Sequence, residues 1–177
     1  MWEPFDYGPT SEYTVPDAEP EYRYCPGGLH PIKIGQFLGP DDRFEVCHKS
    51  GYDDYSTEWF VRDRAQQDWK LVKTLMADLA EEHEEHDIHS ELIILELLTQ
   101  DPTEAPQDNH IVIPSDHFWV EGPNGRHLCL VYPVLGPTAP PEGIDREKPD
   151  ELIDLCFQAA KAVAFLHSKG ICHGGEY

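Results

Sequence analysis

Positive charge is scarce in this 177-residue chain: 13 lysines and arginines stand against 34 aspartates and glutamates, a formal net charge of -21. That balance excludes binding along a nucleic-acid backbone, whose phosphates demand the opposite sign. A basic peptide is the partner such a surface would attract, although an acidic surplus also serves solubility alone. Cysteine is sparse too. The five (Cys25, Cys47, Cys129, Cys156, Cys172) are odd in number and widely spaced. They form neither a zinc-ribbon spacing nor a disulfide framework, which points to a reducing compartment. No apolar run approaches bilayer-spanning length, and Met1-Trp2-Glu3-Pro4 lacks the basic and apolar regions of a signal peptide. No internal repeat is detectable. What the chain does have is 40% apolar residues, enough for the core of one domain.

Residues 1–23 are rich in Pro, Glu, Asp and Tyr without periodicity and are expected to form an acidic, flexible or surface-draped arm. Residues 44–48 and 59–62 read as strands flanking a turn at Gly51, and residues 69–77 as a third strand with imperfect alternation. The spacing of Ile88, Leu92, Leu95 and Leu98 predicts a helix over 81–98, with acids in its first turns. Residues 118–120 and 128–132 form a hairpin around Gly122-Pro123-Asn124-Gly125. A linker rich in Pro and Gly occupies 137–148, and Pro149-Asp150-Glu151 opens a further helix, running to 169. Its predicted buried face is Leu152, Leu155, Cys156, Ala159, Val163 and Leu166. The expected class is α+β, with a five-stranded antiparallel sheet and one main helix over 24–136, then the linker, then a helical unit over 149–177.

Four stretches carry a resemblance. Tyr24-Cys25-Pro26-Gly27-Gly28-Leu29-His30-Pro31-Ile32-Lys33-Ile34-Gly35 is similar to a lead-in that usually reads Tyr-Cys-x-Gly-Gly-Tyr-His-Pro-Val-Lys-Ile-Gly. Ser56-Thr57-x-Trp59 and His127-Leu128-Cys129-Leu130-Val131-Tyr132-Pro133-Val134-Leu135-Gly136 agree with the same group. Leu166-His167-Ser168-Lys169-Gly170-Ile171-Cys172-His173 resembles the end of a long helix followed by the histidine of a His-Arg-Asp loop. Over residues 22–174 the chain thus resembles the SR-protein kinases, in the form found in filamentous fungi. The resemblance implies a kinase small lobe, a hinge and the first helix of the large lobe. It implies ATP-dependent phosphoryl transfer to Ser in Arg/Ser-rich proteins, with ATP and magnesium as cofactors, in the cytoplasm and/or nucleus. Neither nucleic acid nor a membrane is an expected partner.

In that chemistry a glycine-rich hairpin lies over the triphosphate, because only residues without side chains let backbone N–H groups approach it. A strand lysine then contacts the α- and β-phosphates and is held by a helix glutamate. The resemblance assigns Gly51 as the first loop glycine, Lys73, 22 residues on, as the phosphate lysine, and Glu91, 18 beyond it, as its partner. A charge-assisted hydrogen bond of around 2.7–3.2 Å between the two is expected. Tyr132 becomes the gatekeeper, and Pro133 and Leu135 offer hinge backbone groups to adenine. A hairpin glycine and a surface ion pair would account for Gly51, Lys73 and Glu91 singly; their mutual spacing favours the kinase-type assignment.

Departures from the pattern matter as much. The loop reads Gly51-Tyr52-Asp53-Asp54-Tyr55-Ser56-Thr57-Glu58, so the second glycine is Asp53 and the valine that roofs adenine is Glu58. Like charges at roughly 4 Å repel by about 1 kcal/mol even in water. Leu71 replaces the alanine that leaves room for the base, which invites a clash. Weak or absent nucleotide binding is expected. No catalytic residue is assigned, since Gly175 stands at the position of the catalytic aspartate and the sequence given stops at Tyr177. Gly-Glu-Tyr can be encoded as GGT GAG TAT, which contains an intron-donor consensus. The expectation is a truncated or read-through product of a longer frame, inactive alone, in which the apolar face of the helix over 150–169 is left largely exposed. The alternative is a pseudokinase-like protein-binding module. The cluster His83-Glu84-Glu85-His86-Asp87-Ile88-His89 lacks metalloprotease spacing and reads as a solvated acidic helix turn, and adjacent Cys172 and His173 do not make a catalytic pair.

Overall fold

A computed structural model describes residues 18–81, 90–101, 103–136 and 149–172. The acidic arm up to residue 17, the linker 137–148, the histidine cluster at 83–89, His173 and Gly175 lie outside the described residues. Six strands form one antiparallel sheet: β1 (Phe37–Leu38), β2 (Phe44–Tyr52), β3 (Ser56–Asp63), β4 (Asp68–Leu75), β5 (Asp116–Gly122) and β6 (Gly125–Pro133). Their order is β1-β2-β3-β4-β6-β5. The expected count of five is therefore corrected to six. The added strand is β1, two residues that pair with Glu45 and Phe44. A two-residue element leaves no alternation to read, so only pairing with β2 reveals it.

Three helices accompany the sheet: α1 (Ala77–Glu81), α2 (Ser90–Thr99) and α3 (Pro149–Ser168). Residues 82–89, in the first half of the predicted helix, are outside the described residues. The predicted third strand ends at Leu75, and Ala77 opens α1 instead.

The sheet is buried on both sides. Leu38, Phe44, Val46, Trp59, Val61, Val72, Phe118, Cys129 and Val131 pack on one face. Leu75, Leu128 and Leu130 pack on the other, joined by Leu92 of α2, Trp119 and Tyr132. Residues 128–131 of β6 contribute to both, which explains their unbroken apolar run in an otherwise alternating sheet. A buried charge cluster fastens the far end. The Asp63 carboxylate, fully buried, accepts hydrogen bonds from Arg43 Nε at 3.0 and 3.1 Å and from Nη2 at 2.6 Å, while Arg43 Nη1 reaches Asp116 at 2.7 Å. The Arg43 guanidinium holds the Asp63 carboxyl below its ordinary range, as a paired buried charge requires.

The lead-in segment is wedged between α1 and the β5–β6 hairpin. Gly27 N–H donates to Asn124 O at 2.7 Å, and Asp78 N–H donates back to Gly27 O at 2.7 Å. Gly27 has φ +84°, and a Cβ there would lie 1.9 Å from Asp78 Oδ1, so this glycine of the motif has a structural cause. Leu29 and His30 behind it are buried.

The apolar face of α3 is left largely uncovered, as expected for that helix. Of the predicted buried face only Leu166 is buried; Leu152, Leu155, Cys156, Ala159 and Val163 are exposed. Phe165 and Leu166 pack with Leu98, Ile111, Ile113 and Ile171, and the rest of the apolar stripe meets no cover within the described residues. Periodicity reports which side of a helix is apolar, not whether another element lies on it.

Candidate functional site

The register of the sheet brings the predicted site residues into one row. Gly51 of β2 faces Glu58 of β3, Glu58 faces Lys73 of β4, and Lys73 faces Leu130 of β6. Residues opposite one another in antiparallel strands share a face, and Leu130 belongs to the side packed by Leu92 of α2. Lys73 therefore lies on the helix-bearing face, level with the end of the β2–β3 hairpin. Register shifts in β2 between Val46 and His48 and between Lys49 and Gly51 bend the strand just before that end. A Cβ built at Gly51 would meet nothing within 4 Å, so no protein packing demands glycine there.

Lys73 is paired, and the partner is one that sequence reading cast only as a repellent. Its Nζ lies 3.0 Å from Asp53 Oδ2 at the hairpin tip, with the two side chains 27% and 40% exposed. Burial pushes the Asp53 carboxyl up, but the Tyr55 N–H and the Lys73 ammonium outweigh it and hold the group below its ordinary value. Glu91 sits in the first turn of α2 and is half-buried. Its charge, with that of Glu58, reaches Tyr132: burial first, then these two carboxylates, push the phenol up to about 12. Tyr132 itself faces Leu71 across β4 and β6 and is half-buried. Pro133 closes β6, and Val134 and Leu135 beyond it are exposed.

The structure thus gathers Gly51, Lys73, Glu58, Asp53 and Tyr132 at one end of the sheet, with Glu91 on the adjoining helix. What such a site can do depends on its charge. A lone lysine on a strand would hold an anion, but here a carboxylate already supplies the anion, and Glu58 stands opposite. The residues present do not fit a triphosphate as they stand. Among the described residues no group of three His, Cys, Asp or Glu side chains is placed to hold a metal ion, and no helix is long and apolar enough to cross a membrane.

No family model matches the chain. Among curated proteins it is 30% identical over 165 residues to protein kinase dsk1 of Schizosaccharomyces pombe, covering 86% of this chain and 28% of that protein. It is 31% identical over 113 residues to SRSF protein kinase 3 of Homo sapiens (64% of this chain, 19% of that protein). With serine/threonine-protein kinase SKY1 of Saccharomyces cerevisiae the identity is 32% over 117 residues (64% and 15%). The chain spans less than a third of the length of each of these relatives.

Proposed function

The chain is a sequence relative of the SR-protein kinases, and from that premise we propose that it carries the nucleotide-binding lobe of such a kinase in a weakened form. The parent chemistry is ATP-dependent phosphoryl transfer to Ser of Arg/Ser-rich proteins, in cytoplasm or nucleus, with the acidic surface favouring encounter with basic substrates. Gly51, Lys73, Glu91, Pro133 and Leu135 are the nucleotide-facing residues of this reading. The observation that carries it is the row Gly51–Glu58–Lys73–Leu130. It sets the hairpin glycine and the strand lysine on one face, beside the helix that bears Glu91.

A second reading, a pseudokinase-like protein-binding module without phosphoryl transfer, is favoured by the Lys73–Asp53 pair and by Glu58 and Leu71 on the same face of the sheet. Phosphoryl transfer relies on positioning and charge neutralisation for nearly all of its catalysis, so a lysine already neutralised is a direct loss. Calorimetric titration with Mg-ATP and a radiolabelled Arg/Ser-peptide assay separate the two. The 177-residue chain is expected to show little ATP binding and no turnover. Micromolar ATP binding, or turnover abolished by Lys73→Met, would sink the module reading and restore an active lobe.

A further inference from the structure

We infer that Asp53 is the residue that sets ligand specificity in this cleft, as an internal anion that takes the triphosphate's place on Lys73. The inference rests on reading Lys73 as the phosphate lysine. Its independent support is the way the hairpin tip is fastened.

Asp53 follows the last residue of β2, and two residues, Asp54 and Tyr55, separate it from β3. Its Oδ2 meets Lys73 Nζ at 3.0 Å, and its Oδ1 accepts the Tyr55 N–H at 2.7 Å. Its own N–H donates to Ser56 O at 3.0 Å. The carboxylate is therefore held by a local turn that aims one oxygen at β4, as short Asx side chains do. Two more contacts pin the same tip. Asp54 Oδ1 accepts from Arg23 Nη1 at 3.0 Å, and Met76 N–H, just past β4, donates to Tyr55 O at 2.9 Å. The hairpin is thus tied to Lys73, to the lead-in segment and to the end of β4 by the protein's own groups.

A triphosphate entering this cleft must break the Lys73–Asp53 pair and then sit beside the carboxylate it displaced. Both steps oppose it, and a phosphate-free ligand faces neither. Asp53 is thereby a selector against phosphate, not against the base. The chemical class the site admits is a neutral or cationic group, and removing one charge reverses the preference.

The test uses the whole chain and compares Asp53→Asn with the native protein. Asparagine keeps the Oδ1 acceptor for the Tyr55 N–H and loses the charge. Mg-ATP and adenosine are titrated separately, each also in the Lys73→Met background. D53N should tighten Mg-ATP by about tenfold or more, the order expected for one close charge in a partly screened cleft. Adenosine affinity should be unchanged, and Lys73→Met should erase the gain. Independently of binding, the acylation rate of Lys73 by an amine reagent, followed by mass spectrometry with circular dichroism as a folding control, should rise in D53N.

Equal Mg-ATP affinity in native and D53N chains overturns the inference; if Lys73→Met still weakens ATP, the phosphate-lysine reading survives it. A gain shared equally by adenosine also overturns it, since the effect is then on loop shape. Absence of any ATP or adenosine binding in either protein overturns both the inference and the nucleotide-cleft reading.

Discussion

The sheet and α3 are both rich in apolar residues and end in opposite states. In the sheet, Phe44 is 0% exposed and stacks on Phe118 with ring centroids 5.3 Å apart. In α3, Phe157 is 66% exposed, and Ile153, Leu152, Leu155 and Val163 stand in solvent with it. The sheet supplies its own cover: each strand is paired, one face is closed by the lead-in and its own aromatics, the other by α2. A helix cannot do this. Its backbone hydrogen bonds close within the helix, but its apolar stripe is buried only by something outside it. Local structure and burial are therefore separable in this chain, and the two regions show each.

The largest effect that would sharpen the contrast is a matched pair of truncations. Phe44→Ala should cost about 3–5 kcal/mol of unfolding free energy, since it removes a fully buried ring and leaves a cavity. Phe157→Ala should fall within about 0.5 kcal/mol of the native protein, as exposed substitutions do. Urea denaturation followed by tryptophan fluorescence measures both. Equal losses would break the comparison, because Phe157 would then be buried in solution.

Acid provides the next test. His30 is 4% exposed, neither ring nitrogen has a hydrogen-bond partner, and its ring lies 4.7 Å from that of His127. Burial first, then the His127 charge, lowers its pKa to about 4 from 6.5. The unfolded chain therefore binds more protons than the folded one between those values. Stability from this group is full above about pH 6.5 and is lost as pH falls toward 4, by roughly 2–3 kcal/mol at most. His30→Gln should flatten that part of the stability profile. Hydrogen exchange should place the early loss of protection at the lead-in and the β5–β6 hairpin. A loss that begins in α3 instead would remove the assignment.

Much of this was legible beforehand because the signals were local. The β5–β6 hairpin announced itself through Gly122-Pro123-Asn124-Gly125, and the start of α3 through Pro149 and its acids. The Gly27-Gly28 motif was legible as a resemblance, while its cause, the approach of Asp78, needed coordinates. The role of Asp53 was half-legible. Sequence placed a carboxylate in a phosphate loop, but its pairing with a lysine 20 positions away follows only from the register that sets Glu58 opposite both Gly51 and Lys73. On α3 both the apolar stripe and its want of cover were legible, whereas the packing of Leu166 with Leu98, and of Ile111 and Ile113 against them, follows only from the fold.

The smallest effect on folding is also the one that isolates α3. Its exposed apolar side chains lie close along one helix, and contiguous apolar surface of that kind favours association over solvation. The chain should sediment as a mixture whose mean mass rises with concentration. Ile153→Ser with Phe157→Ser should return it to monomer while the unfolding free energy from urea denaturation changes by no more than about 0.5 kcal/mol. Because the sheet buries its own apolar residues, a control substitution at exposed Trp69 of β4 (52% exposed) should leave the association unchanged. A native chain that remains monomeric at hundreds of micromolar would mean the α3 stripe is covered in solution. An association that responds to Trp69→Ser and not to the α3 pair would move the adhesive surface to the sheet, and the contrast between the two regions would be reversed.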